Sequence, residues 1–411
     1  MLKKLPFSKS HRARRSLSLL LAAPLLLTAG QARAVLLGDT IKPFVSLSET
    51  YNSNVFRVKD KEQLSGLVGD DRLGDFITVT SAGSAFHYGL SSLESNLLLK
   101  RDCIRYSHYK TQSANRDHMG GDASIRLLDR VKIKADGSYL KEPQARSDFR
   151  SRERNDMTTL QYGLLVGYEM KAGLGFEAGY RRIGVNHSLE ELRPSEYDLD
   201  RYTGTVSYRL SPEAKVYASY QRDNRNYKEG IGQGESTVKN ANSAGSYRVG
   251  IEKNFSPKTT LSGHIGYTTR KHSARSGRDF SGATGKAELR YAVTPKLGLV
   301  LKGERDLYEE SFAEQPYSVG NSASAGVVYQ ATEKVKASIM NKVTWKDFQN
   351  LPGSPAPRRK DRSTGVNAGI EWTPRDRLSV NVGYQYENRG STDKSFKYSS
   401  HAVTVGVGYK F

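Results

Sequence analysis

Charged side chains recur at alternate positions through most of the sequence. The basic set is Arg126, Lys132, Lys134, Arg181, Arg209, Lys215, Arg248, Lys286, Arg290, Lys302, Lys336 and Lys342. Acids fall in the same phase, at Asp122, Asp136, Glu169, Glu177, Glu252, Glu288, Glu304, Glu371 and Glu387. Such spacing places the charges on one face of a β-strand and the residues between them on the other. The chemistry open to that face is non-covalent. A mixed wall with a modest cationic bias holds water and raises the local concentration of anions, and part of its charge pairs across neighbouring strands. Two further basic groups lie in charged connecting segments. They are Arg270, Lys271, Arg275 and Arg278 in "RKHSARSGR", and Arg358, Arg359 and Lys360 in "RRKDR". Either an acidic polymer or lipopolysaccharide phosphates would suit them.

Bond-breaking chemistry finds less support. His264 and His401 are assigned to polar-phase positions with serines nearby, the raw material of a lipid hydrolase. Nothing in the spacing supplies a nucleophile, a base and an orienting group together. No His/Cys/Asp cluster has zinc spacing, and "GLGFEAG" is a glycine-bearing strand rather than a phosphate loop. The sequence therefore calls for no catalytic residue, metal or cofactor.

The elements that position these charges are strands. In the final "HAVTVGVGYKF", Val403, Val405, Val407, Tyr409 and Phe411 share one phase, with small or polar residues between. Reading backwards, "WTPRDRL", "ATEKVKA", "VTPKLGL", "FSPKTTL" and "LSPEAKV" are versions of one tight turn. Each ends one alternating run and starts the next, which makes an array of hairpins. Longer charged connections lie between them, at 142–156, 186–196, 227–242, 270–279 and 348–362.

Short turns at one end and long loops at the other are the layout of a transmembrane β-barrel. The predicted strands are 41–51, 74–88, 93–106, 120–128, 131–141, 158–170, 174–185, 197–210, 214–226, 243–255, 259–270, 280–292, 296–308, 320–331, 334–347, 362–373, 377–388 and 399–411. The expectation is an all-β, antiparallel, up-and-down barrel of about 18 strands, with 16 as the alternative. Aromatics gather at both ends of the apolar phase. Tyr168, Tyr208, Phe255, Tyr291, Tyr329, Trp372 and Tyr409 lie toward the tight turns, and Tyr139, Tyr180, Tyr220, Tyr267, Trp345 and Tyr386 toward the long loops. Two such rows predict girdles at the two headgroup levels.

Composition agrees with an exported chain. A basic run, an apolar stretch and the small-residue site Ala32–Ala34 read as a signal peptide over residues 1–34, followed by the barrel over 35–411. The mean hydropathy of −0.61 is no obstacle, because only alternate residues face lipid. The lone Cys103 excludes an internal disulfide. The net charge of +20 falls to +13 without residues 1–34. That balance favours anionic partners, of which nucleic acid is the least compatible with export.

One stretch carries a resemblance. "FVSLSETYNSNVFRV" followed by "DDRLGDFITVTSAG" resembles the outer-membrane β-barrel porins associated with exopolysaccharide biosynthesis, through Tyr51, Asn52, Asn54, Phe56, Arg57, Arg72, Asp75 and Thr80. Asn52 and Ser53 stand where acids are common in that family, which weakens a cation site there. The resemblance implies a role in polymer secretion; with the basic charge balance and the barrel, the expectation is an outer-membrane channel that exports an anionic exopolysaccharide, with periplasmic export partners. It also implies that Tyr409 and Phe411 act as the signal read by the barrel-insertion machinery. The alternatives are a general or solute-specific uptake porin and, below that, a barrel lipid hydrolase.

Overall fold

The structure, a computed structural model, describes residues 41–411 apart from 129, 148, 150, 232–237, 240, 273–278, 313–314 and 351–356. The signal segment and the basic residues Arg275 and Arg278 therefore lie outside the described residues. The wall begins with β1 (Ile41–Asn52), β2 (Asp75–Gly89), β3 (Leu93–Tyr106), β4 (Ala114–Leu127) and β5 (Val131–Pro143). It continues through β6 (Asp156–Glu169), β7 (Leu174–His187), β8 (Tyr197–Ser211) and β9 (Ala214–Tyr227). A short ribbon, β10 (Gly230–Ile231) with β11 (Val238–Lys239), interrupts it. The second half comprises β12 (Asn242–Ser256), β13 (Thr259–His272), β14 (Phe280–Ala292), β15 (Leu297–Phe312) and β16 (Gln315–Thr332). β17 (Val335–Gln349), β18 (Lys360–Arg375), β19 (Leu378–Ser391) and β20 (Tyr398–Lys410) complete it.

Apart from the ribbon these strands form one 18-stranded antiparallel sheet, in which β9 pairs with β12 and β20 pairs with β1. The last pairing runs from Phe44↔Lys410 to Asn52↔Ala402 and closes the barrel. Eighteen strands replace the alternative of 16. A closed wall satisfies every ladder hydrogen bond internally, which the hydrocarbon layer demands.

The alternation fixes which face meets lipid. Val403, Val405 and Val407 are exposed on the outside, as are all seven aromatics of the row near the tight turns. Tyr220, Tyr267 and Trp345 are exposed at the other end. The tight turns are made by residues that tolerate them, such as Gly173 with φ at +83° between β6 and β7.

Three features depart from the sequence reading. The "DKEQLSGLV" stretch between β1 and β2 has no element assigned from the sequence. It forms α1 (Lys61–Val68), capped by Asp60, whose carboxylate accepts the Gln63 N–H at 2.9 Å. β4 starts at Ala114 rather than 120, which lengthens the wall at the long-loop end. Arg270 to His272 belong to β13 and not to a loop.

Because the outer face is apolar and the sheet closes on itself, the protein should fractionate with outer membranes and run faster on gels unheated than boiled. Phe411 packs edge-on against Tyr409 at 5.1 Å, and its N–H donates to the Pro43 carbonyl across the closure. Phe411→Ala is expected to lower the amount of the heat-modifiable form in membranes. Normal assembly of that variant would show that the aromatic ring plays no part in closure.

Candidate functional site

The lumen wall carries the charges predicted for it, and many are already paired. Arg181 meets Asp136 at 2.9 Å, Arg209 meets Glu169, and Glu288 takes both Arg290 at 2.6 Å and Lys302 at 3.0 Å. Arg248 donates to the Gln221 amide oxygen at 2.8 Å. Arg126 and Arg209 line a cavity of about 430 Å³ at the tight-turn end. Lys286 lines one of about 350 Å³ nearer the long loops. Lys342 stands on the inner face of β17 across from Ser324 on β16. The residues form a distributed wall rather than one focus.

Of the two basic clusters, Arg270 and Lys271 stand in β13, whereas Arg358 and Arg359 lie in the connection before β18 and Lys360 opens that strand. Arg270 is buried, its side chain 1% exposed, and faces the lumen. Arg359 is also buried, paired with Asp361 and stacked between the Phe348 and Phe396 rings. Arg358 is tied to Asp347 at 2.6 Å. Lys271 and Lys360 remain exposed. The histidine pair is also corrected. His401 shares the phase of Val403, and its Nδ1 shares a hydrogen bond with the Tyr384 hydroxyl at 2.8 Å on the outer face. His264 lines the inner cavity. With a wall between them, the two imidazoles cannot serve one site.

What alternation alone does not reveal is a cap over the long-loop mouth. The segment around α1 has its own small core of Val55, Phe56, Val58, Leu64 and Tyr109. Asp75, fully buried, accepts the N–H groups of Phe76, His108 and Tyr109 at 2.8–3.1 Å, which fixes the base of this segment. Burial pushes the Tyr109 hydroxyl up to about 12, with the carboxylates of Asp70 and Asp75 adding to the shift. The Arg72 N–H and His108 hold Asp70 below the usual carboxylate range. Of the residues that carry the resemblance, Tyr51 and Thr80 stand in the wall, while others help build this cap: Asn54 reaches the Val58 and Ser399 carbonyls, and Arg57 reaches Ser400 and Glu387.

Two contacts carry the cap across the lumen. Arg389 on β19 donates to the Ser147 carbonyl at 2.8 Å, in the connection between β5 and β6, six strands away around the wall. Phe149 of that connection packs with Leu189 and Leu192 of the next one. The helical turn Glu190–Ser195 there packs in turn against β15, five strands beyond β8. Strands so far apart around a barrel meet only across its interior. β15 makes this possible because it parts from β14 above Arg305 while staying paired with β16 as far as Phe312↔Gln315.

At the tip of this inward lean sits Glu309. Its Oε1 lies 2.5 Å from Arg225 and 2.6 Å from Arg270, and its Oε2 accepts from the Tyr227 hydroxyl at 2.8 Å and from Arg270 at 3.1 Å. Arg225 lies over the Tyr197 ring and Arg270 over the Tyr317 ring. Sequence reading misses this cluster. Glu309 shares the phase of the lipid-facing Leu301, and only the departure of β15 from β14 turns it inward. Arg225, in phase with Gln221 and Asp223, was open to the same alternation argument as the predicted wall.

Comparison with known proteins places this architecture. The family described as "Gram-negative porin" matches residues 27–273, and the one described as "Putative beta-barrel porin 2" matches 196–411. The chain belongs to the β-barrel porins. That membership and the closed barrel imply the outer membrane. No curated protein matches the porin. Among solved structures it is similar to OccK2 (OpdF) of Pseudomonas aeruginosa, at 11% identity and a TM-score of 0.51, covering 91% of this chain and 98% of that one. It is also similar to the siderophore receptor PirA of Acinetobacter baumannii (8%, 0.49, 90% and 80%) and to OpdK of Pseudomonas aeruginosa (12%, 0.47, 91% and 99%). At these identities the likeness is one of fold alone.

If the small core docks the α1 segment, Leu64→Ala should cost it about 2–5 kcal/mol of local stability. The expected result is a barrel that still assembles and remains heat-modifiable, with faster tryptic cleavage between Arg57 and Arg72. Cleavage at the wild-type rate would show that the segment is held by its polar ties instead.

Proposed function

We propose that the porin is an outer-membrane diffusion channel for small hydrophilic solutes, acting in uptake, with a weak preference for anions. The observation that carries this reading is the cap. Segments from opposite sides of the wall meet across the mouth, an arrangement that favours small molecules over a polymer strand. An 18-stranded wall is wide enough for an aqueous interior, and its inner face supplies paired charges that solvate solutes without holding them. Export of an exopolysaccharide, the function implied by the sequence resemblance, is the competing outcome of the tests. So is a role for lipopolysaccharide phosphates at exposed basic residues such as Lys271 and Lys360.

Purified protein in liposomes should pass monosaccharides and exclude long oligosaccharides in a swelling assay. In planar bilayers under a salt gradient its reversal potential should show weak anion preference that fades at high salt, as screening shortens the reach of each charge to roughly 3 Å at 1 M. Arg248→Gln with Lys286→Gln should move that potential toward cations. A wild-type channel that prefers cations would remove the basic wall from the mechanism. Free passage of long acidic oligosaccharides would favour export.

A further inference from the structure

Two buried arginines converging on one carboxylate make a binding site, whatever supplies the carboxylate. Here the chain supplies it, from the upper part of β15, which has parted from β14 and remains paired with β16. The occupant stands on a strand that lacks one neighbour at that level, whereas the receptor is fixed on both sides. Arg225 and Arg270 belong to β9 and β13, which stay in the barrel with full ladders on both sides. Both arginines line the cavity of about 350 Å³, and each keeps an Nε–H with no hydrogen-bond partner among the described residues. The fork therefore has more donors than Glu309 uses.

We propose that the Arg225–Arg270 fork is a binding site for the carboxylate of a transported solute, occupied in this structure by Glu309 as an internal substitute. This rests on the channel reading and deepens it. Withdrawal of Glu309 alone would leave two desolvated guanidinium groups unpaired, which is strongly unfavourable. Exchange for a solute carboxylate keeps both arginines paired throughout. It frees the upper part of β15 to swing out of the lumen, so arrival of the right solute opens its own path.

The surrounding groups narrow the class of solute. Asp223 is committed to Arg201 at 2.7 Å. The rest of the cavity sets Arg248, Lys286 and Arg305 against Glu304 and Asp306, with His264 beside them, so basic groups are in excess. That excess draws anions into the cavity and leaves the choice among them to the fork itself. The Tyr227 hydroxyl, which donates to Glu309, offers the same hydrogen bond to a solute carboxylate held by the fork. The cavity's volume is at the small end of ligand pockets, which suits a compact carboxylate such as a uronic acid.

The test is single-channel recording of the purified porin in planar bilayers at constant ionic strength, with sodium glucuronate, glucose or sodium chloride as the probe. Wild-type protein should open several-fold more often in glucuronate than in chloride, and glucose should have no effect. Glu309→Gln should be open often without glucuronate and gain nothing from it. Arg225→Gln with Arg270→Gln should lose the response, and Arg225→Lys, which keeps the charge but not the fork, serves if that pair fails to assemble. Equal opening of wild type in glucuronate and glucose would overturn the site while leaving an ion-conducting channel intact. A Glu309→Gln channel that keeps the wild-type response would overturn it as well. Absence of conductance under every condition would overturn the channel reading and this site with it.

Discussion

A backbone amide left unpaired in hydrocarbon costs several kcal/mol, and everything else in this porin follows from meeting that demand. The decisive pairing is the one between β1 and β20, because it joins the two ends of the described chain and leaves no free edge. Once the sheet is closed, alternation sorts each strand into an apolar outside and a polar inside. The inside needs no packed core. The buried apolar residues instead gather at the long-loop end, around Phe56, Leu64 and Phe149. The barrel wall and the cap are thus stabilised by different forces: ladder hydrogen bonds and lipid in the first case, conventional apolar burial in the second.

This division explains what the sequence makes legible. Period-two alternation, tight-turn repeats and aromatic rows specify the 18-stranded wall. The phase of Arg181, Arg248 and Lys286 identifies them as lumen residues from the sequence alone. Alternation is silent where strands end or leave the wall. The α1 segment, the crossing of Ser147 to Arg389 and the inward turn of Glu309 depend on contacts between residues far apart in the chain. "RKHSARSGR" and "RRKDR" look like solvated charge because their local composition is basic. Arg270 and Arg359 are buried there because Glu309 and Asp361 come from elsewhere to meet them. His401 stands two residues from Val403, so alternation itself puts it on the outer face.

Buried charges concentrate at the mouth, where each guanidinium has a carboxylate and an aromatic face. Arg225 has Glu309 and Tyr197, Arg270 has Glu309 and Tyr317, and Arg359 has Asp361 between Phe348 and Phe396. Such pairs add little net stability over apolar substitutes, and their loss on one side alone is costly. They therefore act less as cement than as constraints on geometry: they admit a few arrangements of the cap and penalise the rest. A channel that must be narrow at one level and wide at others benefits from that kind of rigidity.

The tie between the α1 segment and the far end of the chain has a kinetic consequence. Asn54 and Arg57 follow β1, yet their partners Ser399, Ser400 and Glu387 belong to β20 and β19. Those partners come within reach only after β20 has docked beside β1, so the cap completes itself late in assembly. In the reverse direction the same contacts form a clasp over the upper end of the seam. A barrel that unzips between its first and last strands must first release this clasp. It slows the escape from the folded state more than it speeds the approach to it, so the longevity of the closed barrel is set partly by a few polar contacts outside the membrane.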